Sequence, residues 1–222
     1  MVCNKLISED LYKYILDNSN INKLHQSDIE KEMYLKAMAD DHAMLNTAQD
    51  QIGFLVLLIK IMGASKVIEL GVFRGVTTLS MALALPENGK VFACDIADKY
   101  LLDYKHYWDK AGISHKIDLS VEPAVNFLQE LESNYLSEID FIYIDANKWQ
   151  YNIYYEYAYK LLRQGGVMIL DNMLQKGKIA DNTIQKRSFQ AVRAMNEFIK
   201  KDSRVEAVLL PVGDGISIVR KI

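Results

Sequence analysis

Two acids and an amide are the residues most able to do chemistry together. Asp145 ends the apolar run FIYI, Asp171 ends the apolar run VMIL, and Asn172 follows Asp171 directly. Two carboxylates and an amide oxygen gathered in one place suit a hard divalent cation, Mg²⁺, Mn²⁺ or Ca²⁺, over a soft one. They gather if the two runs are parallel strands, because ligands of open α/β sheets collect at the carboxyl ends of the strands, on one rim. The stretch between the runs, ANKWQYNIYYEYAYKLLRQGG, has the length of one crossover helix. A second set of residues lies upstream. Glu69 stands at the end of VIEL with Gly71 and Gly75 in the turn after it, and Asp95 follows VFAC about 25 residues on, a spacing at which a strand-end acid can accept both hydroxyls of a ribose. The turn is not a GxGxxG, so it points to a nucleoside-like ligand that carries a cationic group and no phosphates.

These residues need a sheet to position them, and the chain supplies the pattern for one. From Lys66 onward strand-like and helix-like segments alternate: VIEL then GVFRGVTTLSMALAL, VFACDI then ADKYLLDYKHYWDKAG, KIDLS then VEPAVNFLQELES, and FIYI through to VMIL. Each helical segment is long enough to cross between parallel strands. The end of the chain breaks the alternation: a helix in TIQKRSFQAVRAMNEFIKK precedes the strands RVEAVLLPV and ISIVRKI, joined by a tight turn at GDG. That ending predicts an antiparallel hairpin on one edge of the sheet. The fold expected is α/β, a Rossmann-like, doubly wound, mostly parallel sheet of seven strands. Residues 1–63 read as a helical cap, with helices at LYKYIL, IEKEMYLKAM and QDQIGFLVLLIKIMG and Gly63 as the last helix's stop. Thr47, in the loop before that helix, is placed to cap it. No repeat or Pro/Gly-rich linker divides the 222 residues, so residues 64–222 and their cap are read as one domain.

Composition narrows the partners. With a net charge of −3 and both signs mixed, the chain has no basic field for nucleic acid. No apolar run approaches the roughly 18 residues of a membrane span, and the first residues lack the apolar core of a signal peptide. A cytoplasmic location with no membrane partner is expected. Cys3 and Cys94 give no disulfide framework and no CxxC metal motif. The four histidines, His25, His42, His106 and His115, show no metal-ligand spacing on a helix face.

VIELGVFRG, DANKWQYNIYYE followed by LLRQGG, DNMLQKG, and AVRAMNEF, DSRVE and LPVGDG occur in one order from about residue 44 to the end. In these motifs the chain resembles the cation-dependent class I O-methyltransferases, the caffeoyl-CoA O-methyltransferases and bacterial catechol-type relatives, and more distantly animal catechol O-methyltransferase. The resemblance implies S-adenosylmethionine as cofactor, with Glu69 at its methionine end, Gly71 in backbone contact, Thr77 at the carboxylate, Asp95 on the ribose and Ala124 at the adenine edge. Thr47 and Leu45 match the loop that folds over the methionine moiety, and Leu45 stands where a methionine is usual. Asp145, Asp171 and Asn172 become the metal ligands, Asp145 lying next to the cofactor as well. Lys148, at the family's DxxK position, becomes the general base, its pKa expected to be pushed down by burial and a nearby dication. The acceptor implied is a small aromatic vicinal diol, and the assembly a homodimer. Within the motif most tyrosines have helical spacing and read as packing, with Asn152 and Tyr155 kept as rim contacts.

Three positions depart from the family pattern: Arg74 and Val76 in the turn, where small or polar and aromatic residues are usual, and Gln175, where tryptophan is usual. Glutamine cannot wall an acceptor ring as an indole does. A nicotinamide oxidoreductase, which would need GxGxxG, and a non-catalytic cofactor-binding relative, which would be expected to lose the acids or the lysine, are the alternatives.

Overall fold

The computed structural model describes residues 6–20 and 27–222. Cys3 and His25 lie outside them. Seven strands, β1 (Lys66–Leu70), β2 (Lys90–Asp95), β3 (Ile117–Val121), β4 (Ile139–Ile144), β5 (Leu162–Leu170), β6 (Val205–Leu210) and β7 (Ile216–Lys221), form one sheet in the order β3-β2-β1-β4-β5-β7-β6. The first five pair in parallel, and β7 runs antiparallel to both β5 and β6. The strand order reverses between β1 and β4, which makes their carboxyl ends the crevice where such sheets bind ligands.

The central strands are apolar throughout because both faces are covered. Successive side chains of β4 go to opposite layers: Phe141 and Tyr143 to one, Ile142 and Ile144 to the other. The first layer holds α1 (Glu9–Asn18) at its margin, α2 (Asp28–Ala39), α3 (Gln49–Met62) and α4 (Val76–Ala84). Met33 and Ala37 of α2 and Ile52 and Leu55 of α3 belong to the same apolar cluster as Val67 and Tyr143, so the N-terminal helices share the core of the sheet. The second layer is built by α6 (Ala124–Tyr135), α7 (Tyr151–Leu161) and α8 (Arg187–Lys201). Ser8 and Ser27 cap α1 and α2, and Gly63 closes α3 in the left-handed conformation, as its position predicts.

Three local expectations are corrected. Thr47 does not cap α3: the cap position is Ala48, with no side-chain bond, and the threonine hydroxyl points into the site instead. The segment after β2 is not a full crossover helix. It runs through turns, such as Leu101 N–H to Asp98 O and Tyr104 N–H to Leu101 O, and only α5 (His106–Lys110) is helical. Leu101, Tyr104, Tyr107 and Trp108 have near-helical spacing because all four are buried, and Trp108 gives its indole N–H to Gly75 O at 3.1 Å. The β6–β7 connection is also longer than the tight GDG turn. It spans residues 211–215 and reaches back under the site, with Gly213 against Gln51 and Gly215 against Leu174. Among the described residues no helix is long and apolar enough to cross a membrane.

Candidate active site

Three strand ends are stapled together before any side chain is considered. Asp145 N–H reaches Leu70 O at 2.8 Å and Asp171 N–H reaches Ile144 O at 3.0 Å, so the acids that follow β4 and β5 lie beside the turn that follows β1. Gly71 makes this approach possible. Its φ is +97°, and a Cβ there would stand 2.1 Å from Asp145 O. Only glycine fits both the angle and the space.

Two cavities open on this junction. One, of about 320 Å³, is lined by Thr47, Gln51, Asp145, Lys148, Asp171, Asn172, Gln175 and Asp214 among others. The other, of about 340 Å³, is lined by Gly71, Asp95, Ala124, Asp145, Asn147 and Tyr154 among others. Asp145 borders both. The second has the character of a nucleoside pocket: a glycine turn, a strand-end acid, and Ala124 at the start of α6, where the first N–H groups have no intrahelical partner. Asp95 has a further task, since its Oδ2 accepts the N–H groups of Val72 and Phe73, both at 2.8 Å, and so shapes the turn. Glu69 is fully buried beneath the turn. Thr78 donates to its Oε2, while Oε1 has no partner among the described residues. Burial, with Asp145 and Asp95 adding to it, pushes its pKa well above the usual carboxylate range. A buried acid with an open oxygen suits a cationic group such as an ammonium.

On the other side a chain of hydroxyls leads to the second acid. Thr77 donates to Thr47 Oγ1 at 3.0 Å, Thr47 lies 3.4 Å from the Tyr143 hydroxyl, and Tyr143 donates to Asp171 Oδ2 at 2.7 Å. Gln51 Nε2 also donates to the Tyr143 oxygen, at 3.0 Å. Asp171 Oδ1 accepts the Asn172 N–H, and the Asn172 amide nitrogen lies 3.4 Å from Asp214 Oδ2, which leaves the amide oxygen as an acceptor. Burial and then the neighbouring Asp145 push the Asp171 carboxyl up to about 7. A buried carboxyl raised by a neighbouring acid in this way fits a cation between the two. The Lys148 ammonium, 3.0 Å from Asp145 Oδ1, is a cation already drawn to the pair. Among the described residues no three His, Cys, Asp or Glu side chains form a metal cage, so the candidate rests on two carboxylates and an amide.

Lys148 departs from expectation. Burial pushes its pKa down, but Tyr151, Asp145 and Asp171 outweigh burial and hold it above the ordinary lysine range. Its ammonium also donates to the Tyr151 hydroxyl at 2.7 Å. Tyr155 is not a rim contact: it is buried and donates to Asp202 Oδ2 at 3.0 Å, on the far side of α7. Asn152 is exposed and borders neither cavity. Arg74, one of the departures, is buried. It donates to Ala37 O at 2.9 Å and to Asp41 O, which clips the end of α2 and the loop carrying Thr47 to the glycine turn. Gln175 folds back onto Asn172 O at 2.9 Å, and Val76 is buried at the start of α4.

Tyr143, Gln51, Asn147 and Asp214 are further residues at the site that no motif in the sequence singles out. For Tyr143 a signal existed: a hydroxyl in an otherwise aliphatic strand, two residues before Asp145 and therefore on the same face. Gln51 and Asp214 carry no such signal, because only the packing of α3 and the hairpin brings them to the site.

A profile described as O-methyltransferase matches residues 20–222. The chain is 40% identical over 219 residues to a probable caffeoyl-CoA O-methyltransferase 2 of Dictyostelium discoideum, covering 97% of this chain and 93% of that protein. It is 37% identical over 229 residues to caffeoyl-CoA O-methyltransferase 1 of Zea mays, covering 98% and 86%. Among solved structures, an O-methyltransferase from Bacillus cereus in complex with S-adenosylhomocysteine (SAH) superposes with a TM-score of 0.81 at 27% identity, covering 96% of this chain and 97% of the other. The fold is also that of the O-methyltransferase TomG from Streptomyces achromogenes, solved with S-adenosylmethionine, with a TM-score of 0.82, 23% identity, and 100% and 99% coverage.

Proposed function

Since the chain belongs to the S-adenosylmethionine-dependent O-methyltransferase family, we propose that it methylates one hydroxyl of an aromatic vicinal diol held by a divalent cation. The observation that carries this reading is the position of Asp145 on the border of both cavities, one shaped for a nucleoside and one lined by acids, an amide and a lysine. The caffeoyl group in the names of the relatives belongs to the same diol class.

On the cofactor side, Gly71 would let the ligand approach the backbone, Asp95 and Ala124 would face the nucleoside, and Glu69, buried beneath the turn and bordering neither cavity, would hold the methionine ammonium through Oε1. The Thr47 hydroxyl, to which Thr77 donates, would face its carboxylate. Asp145, Asp171 and the Asn172 amide oxygen would hold the cation. When bound, the cofactor supplies a sulfonium methyl and the cation a Lewis acid that gathers two adjacent oxygens and acidifies one. Lys148 takes the proton of the reacting hydroxyl. Tyr151 and then Asp145 and Asp171 hold its proton against burial, so engaging the two acids with the cation would offset part of that hold and favour the neutral amine. The closed geometry at Gly71 keeps the two ligands adjacent, which lowers the entropic part of the barrier.

The test is transfer from labelled S-adenosylmethionine to a panel of vicinal diols and matched monophenols, with Mg²⁺ and with chelator. Label should pass to diols only, and only with the cation. Metal-independent transfer would overturn the reading.

A further inference from the structure

We propose that Tyr143 is a positioning residue for Asp171, and that Gln51 sets the direction of its hydroxyl. The inference rests on the cation reading above and adds residues to it. Tyr143 is 1% exposed, yet its hydroxyl lies among three polar partners. Gln51 Nε2, a donor only, fixes the Tyr143 oxygen as acceptor, so the phenol proton turns to Asp171 Oδ2, 2.7 Å away. The other carboxylate oxygen is taken by the Asn172 N–H at 2.5 Å. One donor on each oxygen fixes the carboxylate plane and leaves a lone pair on each for a cation. Groups that orient metal ligands in this way typically contribute about 10- to 100-fold in metal affinity.

Position in the fold makes the arrangement specific. Tyr143 lies two residues before Asp145 on the same face of β4, and Asp171 ends the neighbouring strand, Tyr143 pairing with Ile169 in register. A side chain leaning along β4 from Tyr143 therefore ends beside the residue two beyond Ile169 on β5. Phenylalanine would fill the same apolar space and lose the hydroxyl's contacts with Asp171, Gln51 and Thr47. Gln51, in the first turn of α3, reaches the hydroxyl because Gly213 has no side chain: a Cβ there would stand 1.9 Å from Gln51 Oε1.

The experiment is titration with Mn²⁺, followed by electron paramagnetic resonance, of the wild type, Tyr143→Phe and Gln51→Leu, with SAH affinity measured on each. Tyr143→Phe should weaken Mn²⁺ binding about tenfold or more and leave SAH affinity within about twofold. Gln51→Leu keeps the phenol and loses its guide, so it should weaken Mn²⁺ binding in the same direction by about threefold. It carries the test alone if Tyr143→Phe does not fold. Wild-type Mn²⁺ affinity in the folded variants, or equal loss of Mn²⁺ and SAH affinity, would overturn the inference. A wild type that binds SAH and no Mn²⁺ would instead overturn the cation reading beneath it.

Discussion

A carboxylate with no exposed surface and one unpartnered oxygen destabilises the chain that carries it, and among the described residues Glu69 is such a group. Glu69→Gln keeps a polar atom at that position and removes the buried charge, so the ligand-free protein should gain stability at pH above the ordinary carboxylate range, by an amount that grows with pH. The same change should weaken SAH binding roughly 10- to 100-fold, because a charge-assisted bond to the ammonium is lost. Denaturant unfolding and calorimetric titration read the two opposite effects. At Lys148 the prediction separates binding from chemistry. Lys148→Ala should leave SAH affinity near that of the wild type and lower single-turnover methyl transfer by about 10²- to 10⁴-fold, the range of a general base. The acids and the amide stand out in the sequence because strand ends place such residues on a rim, and the lysine through its place in the family motif. The proton balance of Lys148 does not, since it depends on Asp145, Asp171 and Tyr151 meeting around one amine.

At the scale of elements, the loop between α2 and α3 is held by one buried guanidinium. Arg74→Met keeps the apolar bulk and removes the bonds to Ala37 O and Asp41 O, so SAH should dissociate about tenfold faster by stopped flow, at a cost of about 1.5 to 3 kcal/mol in stability. A second clamp ties α7 to the start of β6: Arg204 bonds Glu156 and Asp202, and Tyr155 bonds Asp202. The Arg204 guanidinium holds the Asp202 carboxyl at about 2. A depressed carboxyl stabilises above its ordinary value, so this contribution is complete above about pH 4 and lost as pH falls toward about 2. Asp202→Asn should flatten the fall in urea midpoint across that window. Elements with strong periodicity are legible from the residues, as α3 with its Gly63 stop illustrates. Thr47 and the segment before α5 are not, because tertiary contacts decide them: a tyrosine hydroxyl draws Thr47 away from the helix end, and Trp108 packs on Gly75 where an extended helix would not reach.

For the whole molecule, the alternation of segments specifies a doubly wound sheet, and the hairpin at its edge follows from the break in that alternation. The crevice follows too, because the strand order must reverse beside β1. Its division into two cavities that touch at Asp145 is not legible, since that geometry arises from Gly71 pressing on the Asp145 carbonyl and from the 211–215 loop reaching under the cation side. This division is the physical basis of the proposed reaction, and it can be tested without turnover. The direct measurement is equilibrium binding of a catechol to the protein saturated with SAH, first with Mg²⁺ and then with EDTA. Diol binding is expected with the cation and is lost with chelator, while a matched monophenol binds weakly in both. Catechol binding of equal strength with and without chelator would contradict it.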